Sequence, residues 1–194
     1  MKTRLLCVCL AVLLLVSGSA LAQGLSGLGA LSAIATAASP TPLELPDVFE
    51  IVYRTAEGEV SLSRDADGSF TYVNGDTKLV FAKTGDDAYT GENETGTLTF
   101  DEVKERIAPV WQMIEPDEDI GSAAVTAAFE TNVTILDRKA NRFRQSVHTD
   151  FSTKIDTAVW YTFDKATGIC LIKETGTDEN HDNAEIVYEC VSFR

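Results

Sequence analysis

The sequence predicts a mainly β fold of α+β character: a strongly curved antiparallel sheet with one helix packed across it. Three observations predict this. From Asp47 onward, short segments alternate apolar and polar residues at a period of two. Turn-forming clusters separate these segments at close spacing, as in an antiparallel meander. One stretch alone, residues 99–114, carries a clear helical period with an apolar face that needs a sheet to cover.

The chain opens with an export signature. Lys2 and Arg4 precede an uninterrupted apolar run at residues 5–16, and Ala20-Leu21-Ala22 then has the small–x–small form of a signal-peptidase site. Residues 1–22 are expected to be cleaved, with Gln23 as the mature N-terminus. The run falls short of the ~20 apolar residues a membrane span requires, and no other segment is long and apolar enough. Residues 23–46 form a second region. It is rich in Gly, Ala and Leu, either a short docked helix or a flexible apolar tail, and ends in an extended stretch with Pro40, Pro42 and Pro46. Residues 47–194 are expected to be a single β-rich domain.

Within it, Phe49, Ile51 and Tyr53 alternate with polar neighbours, and a turn at residues 56–58 leads to Val60, Leu62 and Arg64. Asp65-Ala66-Asp67-Gly68 turns the chain into Phe70 and Tyr72. Asn74-Gly75 is a strong hairpin signal, with Leu79 and Phe81 on the returning strand and Tyr89 on a further short one. Thr99-x-x-Glu102 has the form of a capping box. Phe100, Val103, Ile107, Val110 or Trp111, and Ile114 follow on one helical face, and Pro109 should kink or end that helix. Residues 121–126 are expected to be loop. Strands resume at residues 128–137, with a turn at 138–142 and a return at 143–149. Residues 158–163, a turn at 164–168, and a last hairpin of residues 169–175 and 184–193 complete nine or ten strands.

Removing residues 1–22 leaves 172 of the 194 residues and lowers the basic count from 16 to 14 against 30 acidic ones, a net charge of −16. Such a balance argues against nucleic acid, whose binding is driven by Lys and Arg releasing counterions, and against anionic membrane surfaces. Of the four cysteines, Cys7 and Cys9 leave with the signal. Cys170 and Cys190 then form a lone pair in an oxidising compartment. A hairpin centred on Asn180 gives facing residues an index sum of 360, which sets Cys170 opposite Cys190. A structural disulfide is therefore expected.

No enzymatic signature appears. The only histidines are His148 and His181, with no metal-ligand spacing and no Gly-x-Ser-x-Gly elbow. Asp178, Asn180 and Asp182 alternate like a calcium loop, but Asn183 stands where the sharp turn needs glycine. A solvated hairpin tip is the favoured reading, and no metal or cofactor is expected. Asn93-Glu94-Thr95 and Asn132-Val133-Thr134 are sequons.

Residues 160–173, from the aromatic Trp160-Tyr161-Thr162-Phe163 through the Asp164-Lys165-Ala166-Thr167-Gly168 turn to Ile172-Lys173, resemble a recurring hairpin of the LolA/LolB-like lipoprotein-carrier superfamily. The resemblance implies a half-open β-barrel. Cysteine stands here after the turn, where proline is frequent in that family, and no ligand residue is carried over. Phe49, Tyr53, Phe70, Tyr72, Phe81, Trp160 and Phe163 are the candidate ligand-binding residues, lining a concave apolar groove. The expected function is a non-enzymatic secreted or periplasmic protein carrying or sensing an apolar or acyl ligand. The alternative is an interaction module that fills its own sheet and binds another extracytoplasmic protein.

Overall fold

The computed structural model describes residues 41–92, 94–116, 127–147, 157–176 and 181–194. Contacts divide the chain after Ser39, and every described residue falls in the second unit, Pro40–Arg194. Residues 1–22, the 23–40 stretch, Asn93, the 121–126 loop, His148 and the Asp178 and Asn180 positions lie outside the described residues.

Ten strands form one antiparallel sheet: β1 (Phe49–Thr55), β2 (Gly58–Arg64), β3 (Phe70–Asn74), β4 (Thr77–Gly85), β5 (Ala88–Gly91), β6 (Ala127–Ile135), β7 (Arg138–Val147), β8 (Thr157–Asp164), β9 (Cys170–Gly176) and β10 (Glu185–Phe193). The spatial order β5-β4-β3-β2-β1-β10-β9-β8-β7-β6 joins two meanders through β1 and β10. The sheet is curved and does not close. Phe49, Ile51 and Tyr53 alternate with less buried neighbours along β1, as a strand with one core face requires.

The chain leaves the sheet at one edge, after β5, and re-enters at the other, in β6. Nine strand spacings of ~4.8 Å each separate those edges along the sheet, so the connection has to cross it. Two short helices lie in this crossing, α1 (Phe100–Arg106) and α2 (Ala108–Ile114). The capping box forms as expected. Glu102 N donates to Thr99 Oγ1 at 3.3 Å, and Thr99 N donates to the Glu102 carboxylate at 2.7 Å. The helix breaks at Ile107, and Pro109 stands in the first turn of α2, where its missing donor costs nothing. Val103, Ile107, Val110 and Ile114 are fully buried. Tyr188 Oη donates to Met113 O at 3.2 Å, tying α2 to β10. The helices thus occupy the face that β1, β2, β9 and β10 would otherwise leave open.

Two local expectations are corrected. Residues 138–142 are strand, not turn. The β6–β7 hairpin turns at Leu136-Asp137, with Ile135 paired to Arg138. Both turn residues have positive φ, 49° and 61°, the geometry that normally selects Asn-Gly. Left-handed backbone costs a leucine ~1–2 kcal/mol, and Leu136 is exposed. The double variant Leu136→Asn/Asp137→Gly should therefore stabilise the fold by about 1 kcal/mol, read as a Tm rise of about 2–4 °C. An unchanged melt would refute the turn assignment.

The second correction concerns the last hairpin. Glu185 pairs with Thr175 and Ile186 with Glu174, at the expected index sum. A bulge at Val187 then shifts the register, so Tyr188 pairs with Lys173 and Glu189 with Ile172. Continued, that register sets Cys190 opposite Leu171, not Cys170. Both cysteines are free thiols, so the expected bridge is not formed.

Candidate functional site

Residues 41–46, expected as a linker, are instead a strap pinned across the β domain. Glu44 N donates to Thr167 O at 2.8 Å, and Thr41 Oγ1 donates to Lys165 O at 3.3 Å. At its far end Arg64 donates to Pro46 O at 3.2 Å. Between these anchors the strap carries Leu43 and Leu45 to the mouth of a cleft of about 440 Å³. That volume lies within the range of small-molecule sites.

The cleft lies between the strap, the β2–β5 end of the sheet and the two helices. Phe70, Tyr89, Phe100 and Trp111 supply its aromatic surface. Phe70 and Phe100 stack with centroids 5.4 Å apart, and Trp111 meets Phe100 edge-on at 5.4 Å. Such pairs fix ring positions beyond what burial alone would do. Arg64, Lys83 and Lys104 supply positive charge, and Asp86, Asp87 and Glu115 negative charge. Two of these acids are engaged by the scaffold. Asp87 accepts from Phe100 N at 2.9 Å, and Glu115 from Trp111 Nε1 at 3.2 Å. Lys104 pairs with Asp101 and sits over both the Phe100 and Trp111 rings. Burial pushes the Tyr89 hydroxyl above its ordinary pKa, with the Arg64 charge opposing.

Of the seven aromatics named from sequence, Phe70 alone lines this cleft. Phe49, Tyr53, Tyr72, Phe81, Trp160 and Phe163 are all buried elsewhere. Tyr53 donates to Cys170 O at 2.6 Å and meets Tyr188 edge-on at 5.6 Å. Phe163 packs edge-on to Phe143 at 5.8 Å. Trp160 lies on the other face of the sheet: β8 is in regular register with β7, so residues 160 and 163 point oppositely. There, beside Trp160, Glu174 is held by Arg142 at 3.6 Å and by His181 Nε2 at 2.8 Å. That cluster pins the His181–Asn183 turn to β9. Among the described residues no group of three His, Cys, Asp or Glu side chains converges as a metal site.

The two thiols sit around Tyr53 in the core. Cys170 Sγ donates to Ile172 O at 3.5 Å and Cys190 Sγ to Ser192 O at 3.3 Å, while Tyr188 Oη lies 3.4 Å from Cys170 Sγ. Burial pushes both thiols up to about 12, so thiolate, the reactive form, is scarce at neutral pH. The same burial, with the adjacent thiols, raises the Tyr53 hydroxyl well above its usual value. Protein prepared without residues 1–22 should show no thiol reactive toward a disulfide reagent at pH 8 while folded, and two once unfolded without reductant. Finding none after unfolding would mean the pair is bridged after all.

No protein-family model matches this chain, and no curated protein matches it in sequence. Among the described residues no helix is long and apolar enough to cross a membrane. Among solved structures the chain is similar to MucB, crystallised in complex with MucA(peri), at 9% sequence identity and a TM-score of 0.37. The likeness covers 76% of this chain and 49% of that one, so the chain spans about half the length of the protein it matches.

Proposed function

We propose that this protein is a non-enzymatic extracytoplasmic binding protein, exported by residues 1–22, and that it holds an apolar ligand in the cleft beneath the strap. The observation that carries this reading is the cleft itself. It offers about 440 Å³ of space against an aromatic wall of Phe70, Tyr89, Phe100 and Trp111. The site differs from the groove expected from sequence, because α1 and α2 pack on the sheet and the cleft opens at its β2–β5 end. A sheet packed by its own helices favours the alternative reading, an interaction module whose sheet is satisfied by its own side chains.

Titration of the exported protein with the uncharged fluorophore N-phenyl-1-naphthylamine distinguishes the two. Saturable one-to-one enhancement is expected, weakened about tenfold by Phe100→Ala, since a lost aromatic contact surface of this kind is worth ~1–2 kcal/mol. Absence of saturable binding would remove the ligand reading and leave the interaction module.

A further inference from the structure

The cleft holds two cations with no carboxylate partner, in a chain where acids outnumber bases 30 to 16. Arg54, Lys104, Arg106, Arg138, Arg142 and Arg194 each meet a carboxylate within 4 Å. Among the described residues, Arg64, Lys78, Lys83, Lys139 and Lys165 do not; Lys139 and Lys165 bond neutral side chains, Thr134 and Asn132, while Arg64 and Lys83 line the cleft. Arg64 spends one donor on Pro46 O, while its buried Nε has no hydrogen-bond partner at all. A charged donor left unmatched is costly, and Arg64 thereby keeps hydrogen-bonding capacity that the contacts shown do not use up.

Register places these cations around the aromatic surface. Arg64 pairs across to Phe70, and Phe70 to Phe81, two residues before Lys83 on the same face of β4. The Arg64 guanidinium sits over the Phe70 ring, 5.7 Å from its centroid. The lysine stem is held by the β2–β3 turn, where its Cδ lies against Gly68. Asp86 and Asp87 also line the cleft, and Asp87 is turned to the Phe100 amide. Among the described residues no carboxylate lies within ion-pair distance of Arg64 or Lys83, although Asp86 shares the cleft with them.

We propose that the ligand of this cleft is an amphipathic anion, with an apolar body against Phe70 and Phe100 and a carboxylate-type head held by Arg64 and Lys83. The proposal rests on the ligand reading above and adds the charge of the head. A planar carboxylate can accept from the guanidinium edge in a charge-assisted contact that an alcohol cannot match.

The test displaces N-phenyl-1-naphthylamine from the exported protein with decanoate and with decanol, which share one apolar tail. Decanoate should displace the probe at least tenfold more effectively at low salt, with the advantage shrinking as salt rises. Arg64→Gln should cut that advantage below threefold, read as the ratio of decanoate to decanol displacement within the variant, so that any loss of strap or ring contact common to both compounds cancels. Lys83→Gln, whose side chain makes no ion pair in the fold, should cut it in part and serves if Arg64→Gln unfolds. Equal displacement by the two compounds, or an advantage that survives both variants, would overturn the anionic head while leaving the ligand reading intact. No probe binding at all would overturn both.

Discussion

Gly168→Ala should destabilise the protein by about 3 kcal/mol, and most of that loss should come from a collision rather than from the turn. Gly168 has φ +71°, where any L side chain costs ~1–2 kcal/mol. An added Cβ would also lie 2.3 Å from Thr41 O, 2.6 Å from Pro42 O and 2.8 Å from Pro42 C. All three atoms are backbone, so no side chain can swing aside. The strap has to lift, and it then loses the Glu44–Thr167 and Thr41–Lys165 hydrogen bonds, each worth ~1 kcal/mol. Gly75→Ala is the control. Its φ is also positive, at +56°, but an added Cβ meets nothing within 4 Å, so only the backbone cost of ~1–2 kcal/mol applies. Denaturant unfolding of the two variants side by side gives the difference. Equal losses would mean that residues 41–46 are not held against the β8–β9 turn. The strap also carries Leu43 and Leu45 to the cleft, so Gly168→Ala should weaken apolar probe binding from a distance while Gly75→Ala does not.

Local order was legible in the sequence to the extent that local chemistry decides it. Thr99 and Glu102 make the capping box because both partners lie within one turn, and Pro109 divides the helix because a continuous helix would need the donor its ring removes, whereas the first turn of a new one does not. Parity along one strand was also available. Trp160 and Phe163 are three residues apart, so a regular β8 cannot aim both into one groove, and the period-two rule alone separates them. The Leu136-Asp137 turn was not legible, because leucine disfavours positive φ and the register of β6 on β7 imposes it there. The Val187 bulge was hidden for the same reason, and with it the displacement of Cys190 from Cys170. The cleft was the least visible feature. Leu43, Arg64, Tyr89 and Trp111 come from a strap, two strands and a helix, and only the crossing of α1 and α2 over the sheet brings them together. One signal was present: Arg64 and Lys83 occupy inward positions of apolar-alternating strands, where a cation is out of place unless something answers it.

The Asp-x-x-Thr-Gly turn has a physical reason here, and it sets the second large effect. Asp164 is buried at the end of β8 and accepts from Arg138 at 3.1 and 2.9 Å, one nitrogen to each oxygen. Its Oδ2 also accepts from Thr167 N at 3.0 Å and Thr167 Oγ1 at 2.7 Å, while Gly168 N donates to its carbonyl at 2.9 Å. One carboxylate thus closes the turn, orders the glycine against the strap, and fixes Arg138, whose guanidinium stacks 4.1 Å from the Phe193 ring centroid. Asp164→Ala should cost about 3–4 kcal/mol, because it strands a largely buried cation and two donors at once. Asp164→Asn keeps the shape and removes the charge, so its loss should depend on pH in a fixed direction. Burial alone would raise the pKa of this carboxyl, but the Arg138 and Thr167 hydrogen bonds and the Arg138 charge outweigh it, and the group sits below its ordinary 3.8. A carboxyl with a depressed folded pKa contributes its stability in full above the unfolded value and loses it as pH falls through the folded one. Wild type should therefore exceed Asp164→Asn by a constant margin from pH 7 down to about pH 5. The gap should then narrow below ~pH 4 as the native carboxyl takes up its proton. Exposed acids with lowered pKa values, such as Glu94 and Glu102, are common to both proteins and cancel in the difference. A margin that widened on acidification would mean that the native turn binds the protonated acid better, and the Arg138–Asp164 pair could not be what holds it.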